Sequence, residues 1–544
     1  MRKTTRRVLS MVIAVLMLIS MVSVFTLPAF AEETSAAVDY DAKFETAFII
    51  NKDWTDEQLA GEADLTTTFR GEVKTVNPKT HKLFNSYASA YDAAFESGDY
   101  NADTYFTIMP VFVFGPGDYS TDGMFTVPAP AYIWGANAGI SPNAEVAAED
   151  RDIAWFQANG KTWLANEERG AETIFPAISQ STRVRGTTNE CAENTFSTYV
   201  DAEGNKLNTE IEATHTYSDA DSKWQYFLDQ ALKANADATV DLYVDGATIV
   251  EKISNTSTDA NKTYYYGGVG YKADATAKRS STFYVDNCIN NSSIIISSWN
   301  TTNYHQYAKI TNMRSERVTK LGEKYFDEIS IEDSYFAGMN TTGAFFTPFV
   351  HTTRRYNTAK ITLDKCVIGE STKETFFFNA DANNKGMTSF DFNLTNSLLY
   401  NAGAANYGYF YLKNNELTAN YGSASAELKS SNASNEKLTF NIQDNIIYHD
   451  RVINTSTGAG MNNLFNGNQK YIGGGMNVIK FNGNRVIGTL KAIPPNTAYT
   501  VAQANELLDY DFSGNFFSTS VDGMGKEVVF ATGPNGTVSD STWA

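Results

Sequence analysis

ITLDKCVI, Ile361 to Ile368, carries in eight residues the pattern that decides the fold: apolar, any, apolar, polar, turn residue, any, apolar, apolar. The pattern returns in FYVDNCI (Phe283 to Ile289), ISIEDSYF (Ile329 to Phe336), FNLTNSLL (Phe392 to Leu399), FNIQDNII (Phe440 to Ile447), IKFNGNRV (Ile479 to Val486) and YDFSGNFF (Tyr510 to Phe517). The turn position holds Asn287, Asp333, Lys365, Asn396, Asp444, Gly483 and Gly514. All but Lys365 are residues that enter positive φ readily. A weaker copy, KITN, puts Asn312 in the same column, and an earlier one, LYVDGATI, puts Gly246 there.

Alternation of apolar and other residues makes a strand with one buried face, and the turn residue straight after it bends the chain. Repetition at intervals of tens of residues is the mark of a solenoid, whose units cannot bury their apolar faces alone and so stack. A second apolar run follows several motifs: SIIIS (Ser293 to Ser297), AFFTPF (Ala344 to Phe349), TFFFN (Thr375 to Asn379) and YFYL (Tyr409 to Leu412). Each coil therefore carries at least two strands. The step from Asn312 to Asp333 is close to a minimal coil of three strands and three turns, while longer steps such as Asn396 to Asp444 must hold loops that leave the stack. The alternative, an antiparallel sandwich, would show hairpin turns every dozen residues. FNGNR (Phe481 to Arg485) is one hint of that kind, but the turn column favours coils of parallel strands.

Two earlier stretches, YFTIMPVFVFGPGDYS (Tyr105 to Ser120) and FTVPAPAYIWGANAGISPN (Phe125 to Asn143), contain a PG-x-Y turn at Pro116, Gly117 and Tyr119 and a G-x-N-A-G segment at Gly135, Asn137, Ala138 and Gly139. RGAETIFPAIS (Arg169 to Ser179) continues in the same style. With the turn column, these resemble the pectin-lyase-like superfamily of secreted bacterial type over most of Phe84 to Phe517. The resemblance implies an all-β fold, a right-handed parallel β-helix in which Asn at the turn after a strand stacks into a ladder. Its motifs are structural, and no specific catalytic family is matched.

Outside the repeat, Met1 to Ala31 reads as a secretory signal. Arg2, Lys3, Arg6 and Arg7 precede an apolar run from Val8 to Leu27, and AFA at Ala29 to Ala31 offers a cleavage site. A membrane anchor is the alternative, but no other long apolar run follows, so a secreted, extracellular chain is expected. Residues 32–82 form a polar, acidic segment with FETAFII (Phe44 to Ile50) as its strand-like piece. Phe84, Tyr87, Ala88, Tyr91 and Phe95 fall at helical spacing behind the possible caps Asn85 or Ser86. That helix is expected to cover the open end of the first coil, with a surface helix of another domain as the alternative. The β-helix domain is placed at 83–544, with an insertion at about 144–240 whose stretch from Asp219 to Asp237 reads as a helix. Tyr264, Tyr265 and Tyr266, in the loop from Asn255 to Gly268, are strand residues or a stacking platform.

The full chain of 544 residues has a formal charge of −19, and loss of the four basic residues of the signal leaves −23. That surface disfavours nucleic acid and anionic membranes, and disfavours a polyanionic sugar unless a cation or a basic patch intervenes. Three cysteines, Cys191, Cys288 and Cys366, are too few for a disulfide framework. Cys288 and Cys366 share a column about three coils apart, roughly 14 Å at strand spacing, and are expected as free thiols. The five histidines are scattered, so a structural zinc site has no support.

For chemistry, the NTD, DD, GHG and RIK segments of polygalacturonase-type hydrolases are absent, as are the WxDH and RxPxxR segments of the main pectate lyase family. What remains is the polar position before the turn, which reads Asp286, Thr311, Glu332, Asp364, Thr395 and Gln443. Stacking would place Glu332 and Asp364 about 5 Å apart, with Asp286 two coils away. Carboxylates that close raise each other's pKa unless a cation lies between them, and their oxygens suit Ca²⁺. Loops beside this ladder carry Arg314 and Arg317 ahead of the Glu332–Asp364 pair, and Arg354 and Arg355 after HTT. β-Elimination of a uronate needs its carboxylate neutralised and its C5 proton removed. Asp286, Glu332 and Asp364 are accordingly the candidate Ca²⁺ ligands, and Arg354, Arg355 and Lys365 the candidate catalytic residues, against the plain alternative of solvated turn residues. The expectation is a monomeric secreted protein that binds extracellular polysaccharide or surface glycan and, as an enzyme, is a polysaccharide lyase. The rival is a non-catalytic adhesive or structural solenoid.

Overall fold

The computed structural model describes residues 38–96, most of 109–180, 241–249, and beyond 253 the strands and turns of each coil as far as 542–543. The signal segment, the helix expected at 219–237, Tyr264 to Tyr266 and Cys191 lie outside the described residues. Two units are distinguished, Met1–Thr46 and Ala47–Ala544. The described part of the first is the helix Tyr40–Thr46, where the Asp39 carboxylate accepts from the Ala42 N–H at 3.0 Å. All that follows concerns the second.

A parallel sheet of 13 strands runs from Lys82–Phe84 at one edge through Phe48–Ile50, Val111–Phe114, Ala131–Trp134, Leu242–Asp245, Arg279–Asp286, Tyr304–Thr311, Glu328–Glu332, Thr358–Asp364, Ser389–Thr395, Lys437–Gln443 and Asn477–Asn482 to Leu508–Asp511. A second parallel sheet of 12 strands starts at Gly117–Asp118 and ends at Thr542–Trp543, and takes the pair after each turn, such as Tyr335–Phe336 and Val367–Ile368. The second apolar runs supply the third side in shorter parallel sheets. Ile294–Ile295 lies in one, Thr347–Pro348 in another, and Phe378–Asn379 with Phe410–Tyr411 in a third. The chain is a parallel β-solenoid with three strands to a coil, in the register that the repeated motif implies. The acidic segment before the helix also belongs to it, since Phe48–Ile50 pairs with both Lys82–Phe84 and Val111–Phe114. Beside these strands a hairpin, Leu65–Phe69 with Glu72–Val76, turns through Arg70 (φ 54°) and Gly71 (φ 74°).

All nine residues of the turn column have positive φ, from 48° at Asp333 to 69° at Gly246 and Gly514. Lys365 shares the conformation at 51° although its backbone is disfavoured there. In this geometry the turn residue keeps the ladder running: Asn312 N–H donates to Glu332 O, Asp333 N–H to Asp364 O, and Lys365 N–H to Thr395 O, each at 3.2 Å. Gly246 has a further reason to be glycine. The backbone of Asn137 and Ala138 lies where its Cβ would stand.

Inward residues of the first sheet, Leu242 and Val244, Phe283 and Val285, Ile329 and Ile331, Ile361 and Leu363, Phe392 and Leu394, are all buried. Each contributes about 1.5–3 kcal/mol by leaving water. The polar ladder that the family resemblance placed at the turn sits one residue later. There Ser334, Cys366, Ser397, Asn445, Asn484 and Asn515 form a buried column. Asn445 Nδ2 donates to Asn484 Oδ1 at 3.0 Å and Asn484 Nδ2 to Asn515 Oδ1 at 3.2 Å. These Oδ1 atoms also accept the backbone N–H of the coil before, Asn445 from Ser397 at 2.9 Å and Asn515 from Asn484 at 2.9 Å. The second amide hydrogen reaches back to a strand carbonyl, Asn484 to Ile442 O at 2.8 Å and Asn515 to Phe481 O at 2.7 Å. Serine does half of this work: Ser397 Oγ accepts from Cys366 N–H at 3.0 Å. The two cysteines do the other half weakly, Cys288 toward Val244 O and Cys366 toward Ile331 O. Both are buried and free as expected, and burial pushes the Cys366 thiol up to about 12. The turn residues themselves bond to the carboxylates of the preceding coil, Asn287 to Asp245 and Asn396 to Asp364.

The helix read from the Phe84–Phe95 spacing spans Tyr87–Glu96, with Ser86 Oγ accepting from Ser89 N–H at 3.2 Å. Its Tyr87 ring meets Phe112, Phe114 and Phe125 at centroid distances of 5.4, 6.0 and 4.5 Å. The Tyr119 hydroxyl, buried, lies 3.3 Å from Ile50 O and Gly115 O, and Asn137 Nδ2 donates to Ala171 O at 3.2 Å, so the two early motifs serve as struts.

Because Asn484 meets a backbone donor, a backbone acceptor and a neighbouring amide at once, Asn484→Ala is expected to cost about 2–3 kcal/mol. Asn484→Ser, which keeps the accepting oxygen, should cost about half of that, measured as the shift in urea midpoint.

Candidate functional site

Alternation turns every second residue of the first sheet outward, and parallel register sets these residues in rows along the axis. The row nearest the turn contains Asp245, Asp286, Thr311, Glu332, Asp364, Thr395, Gln443 and Asn482, paired in that order across adjacent strands. Glu332 and Asp364 are direct neighbours and Asp286 stands two coils from Glu332, as the template requires. Two residues further from the turn the row reads Tyr132, Tyr243, Tyr284, Lys309, Ser330, Thr362, Asn393, Asn441 and Lys480.

The carboxylate row is tied to the turn column of the following coil. Asn287 Nδ2 donates to Asp245 Oδ1 at 2.9 Å, Asn396 Nδ2 to Asp364 Oδ1 at 2.7 Å, and Lys365 Nζ to Glu332 Oε1 at 2.9 Å. Threonines of the row itself add to this, Thr395 to Asp364 at 2.7 Å and Thr311 to Asp286. Lys365 Nζ also lies 3.6 Å from Asp364 Oδ2, so one ammonium stands between the two candidate metal ligands. Its pKa is raised, first by the hydrogen bond to Glu332 and then by that charge. Among the described residues no group of three or more His, Cys, Asp or Glu side chains is placed to hold a metal ion. Arg354, Arg355 and Arg317 lie outside the described residues. Arg314 is turned away from the row: it is buried on the second sheet, where Nη1 donates to Trp163 O at 2.7 Å. The side chain after the turn faces in and the next one faces out, on another side of the coil from the carboxylates.

Two features escaped the sequence reading. One is Asp245, a buried carboxylate that pairs in register with Asp286 and accepts the Gly139 N–H at 3.0 Å. The other is a stack of half-buried rings, Tyr132 on Tyr243 (4.6 Å, 24°) and Tyr243 on Tyr284 (4.3 Å, 6°). The rings lie face to face along the axis, so this end of the sheet offers ring edges and phenol oxygens outward, not ring faces. Burial, then Asp241, raises the Tyr132 and Tyr243 phenols. The signal for both was present in LYVDGATI: extending the template by one coil aligns Asp245 with Asp286 and Tyr243 with Tyr284.

Asp286 is a member of the row whose titration is displaced far. Burial, and after it the charge of Asp245, pushes its carboxyl up to about 7, while the Thr311 hydroxyl and Lys309 pull the other way to a lesser extent. A group poised there can give or take a proton near neutrality.

No family model, curated protein or solved structure matches this chain. Geometry therefore stands without support from relatives, and the likeness to pectin-lyase-like proteins rests on the residues quoted above.

The raised carboxyl carries a sign. The folded state holds the Asp286 proton up to about pH 7, whereas the unfolded chain releases it near 3.8. Between those values folding takes up a proton, so stability contributed by this group is full at the acid end and falls as pH rises, levelling above about 7. Asp286→Asn should flatten that segment of the melting temperature against pH profile relative to the parent.

Proposed function

We propose that this chain is a secreted β-helix protein that binds extracellular polysaccharide along the outer face of its first sheet. The observation that carries the reading is the registered strip of outward polar side chains, Ser330, Asn393 and Asn441 beside Thr395, Gln443 and Asn482, which runs parallel to the axis over successive coils, with the Thr362 hydroxyl among them closed off from solvent. Each group repeats at strand spacing, about 4.8 Å. A linear polymer of hydroxyl-bearing units laid along the axis would meet polar side chains on successive coils, Asn441 and Asn393 already joined by a hydrogen bond at 2.7 Å. The same reading takes the coil as right-handed, the hand that connections between parallel strands adopt. It also takes the helix Tyr87–Glu96 as the cover of the first coil and kinship with the pectin-lyase-like superfamily as the source of the early motifs.

Cleavage is a second reading, favoured by Asp286, whose carboxyl at about 7 stands on that face beside Tyr284 and Asp245. In its lyase form, Glu332 and Asp364, with Asp286, hold Ca²⁺ against a uronate carboxylate while Arg354 or Arg355 removes the proton; Lys365, expected in that role from its place in the sequence, keeps its own proton because Glu332 raises its pKa. Lys365 now stands where that ion would be drawn, so calcium has to displace an ammonium from the Glu332–Asp364 pair. Without cleavage, the protein is a glycan-binding adhesin or a structural solenoid.

Binding is tested with the double variant Ser330→Arg and Thr362→Arg, both outward and half-buried, by affinity electrophoresis through neutral and uronate polysaccharides. At least about a tenfold loss of affinity with an unchanged melting temperature is expected. Full retention of binding would remove this face as the site. For calcium, Lys365→Met should tighten binding by about tenfold in calorimetry, since it removes the competing charge at about 1.4 kcal/mol. Ultraviolet absorbance of unsaturated uronate, appearing with Ca²⁺ and abolished by chelator, would establish elimination. Binding without product would leave the adhesive reading.

A further inference from the structure

Most contacts of a solenoid join neighbouring coils, and such arrays open from their ends one unit at a time. The excursion between Gly139 and Thr173 breaks that rule. Its two legs brace each other, with Asn143 opposite Ala165, Ala144 N–H donating to Leu164 O at 2.9 Å and Asn166 N–H to Pro142 O at 3.0 Å. Between them lies the helix Ile153–Ala158. The excursion belongs in sequence to the early coils, yet its side chains are fixed to coils far along the axis. Arg169 Nη1 donates to Asn287 O at 2.8 Å, and Asn143 Nδ2 to Met313 O at 3.2 Å. Trp163, buried, packs with Tyr335, Val367, Leu398 and Tyr400, and Trp155, Ile446 and Tyr448 close around that cluster.

We infer that this excursion is an axial clamp, latched by Arg314, which makes the coils from Asn287 to Tyr448 open as one unit. Arg314 is the only residue of the turn-plus-two column, among those described under the clamp, that brings a charge beneath it. Nη1 reaches Trp163 O at 2.7 Å and Asn143 Oδ1 at 3.4 Å, and the guanidinium lies 4.8 Å from the centre of the Tyr335 ring. One side chain thus holds both legs and touches the next coil. A neutral apolar residue there would leave the Trp163 carbonyl without this donor in a place closed to water. The apolar strip Tyr335, Val367 and Leu398 would be exposed on the outer side of the second sheet without Trp163, and the clamp covers it.

Native-state hydrogen exchange on the full mature chain tests this. In the parent, ladder amides of Tyr335, Val367, Leu398 and Ile446 should share one opening free energy and one denaturant dependence. In Arg314→Met and in Trp163→Ala they should separate into different openings, with protection at Leu398 and Ile446 lowered at least about tenfold more than at Val113 in the early coils. Trp163→Phe, which keeps an aromatic ring in the cluster, should restore the common opening. Leu399→Ala serves as the control for a local cavity: it should weaken all four amides together. Separate openings already present in the parent, or a common opening that survives in Arg314→Met and Trp163→Ala, would overturn the clamp.

Discussion

The rest of this molecule depends on one backbone requirement: a residue in left-handed conformation at the end of each of the nine strands of the first sheet from Leu242–Asp245 to Leu508–Asp511. That conformation turns the chain through the corner while leaving its N–H pointing along the axis, so the ladder of hydrogen bonds does not lapse at the bend. Each of these coils repeats the choice, and each therefore places its next residue, its outward residue and its core residues in register with those of its neighbours. Columns arise from this before any side chain contributes. The buried column of Ser, Cys and Asn one position on is a consequence, since a corner narrow enough to repeat leaves backbone groups that water cannot reach and that only a short polar side chain can satisfy.

The same register explains why acidic residues can crowd one face of an already acidic protein. Each carboxylate before the turn finds a donor from the coil that follows, Asn287 for Asp245, Lys365 for Glu332, Asn396 for Asp364. Lysine at a position otherwise held by Asn, Asp and Gly is thereby accounted for: its unfavourable backbone is offset by contact with two carboxylates. The pair is half exposed, and exposed ion pairs are worth at most about 1 kcal/mol, comparable to the cost of the conformation. Asp286 departs from the pattern because its neighbour on one side is itself a buried carboxylate, and the proton it retains removes a charge that the pair would otherwise have to hold.

Strand positions, turn conformation, the third side of each coil and the adjacency of Glu332 with Asp364 were legible because each depends on spacing within one short motif. The ladder was misplaced by one residue for a physical reason: Asn is favoured at the turn by its backbone and at the next position by its two-sided amide, and letters alone do not separate those causes. Arg314 read as a loop residue near the carboxylates because the sequence gives its distance from the turn but not what lies over the second sheet. That cover comes from Asn143, Trp155 and Trp163, more than a hundred positions earlier, and no local pattern reports such a meeting. The hairpin at Leu65 to Val76 was missed since its turn is Arg70–Gly71, and Arg is not a residue one expects at positive φ.

The hydrogen bonds between coils all point along the axis, and this bears on how the molecule would answer a pull. Tension applied between its two ends would load the rungs in series, so that the weakest rung sets the strength of the whole and yields before the others share the force. A segment fixed to distant coils acts in parallel with the rungs beneath it, as a tie bar does beside a chain. Under such a load the span beneath Trp163 is the portion built to stay coiled while the ends extend.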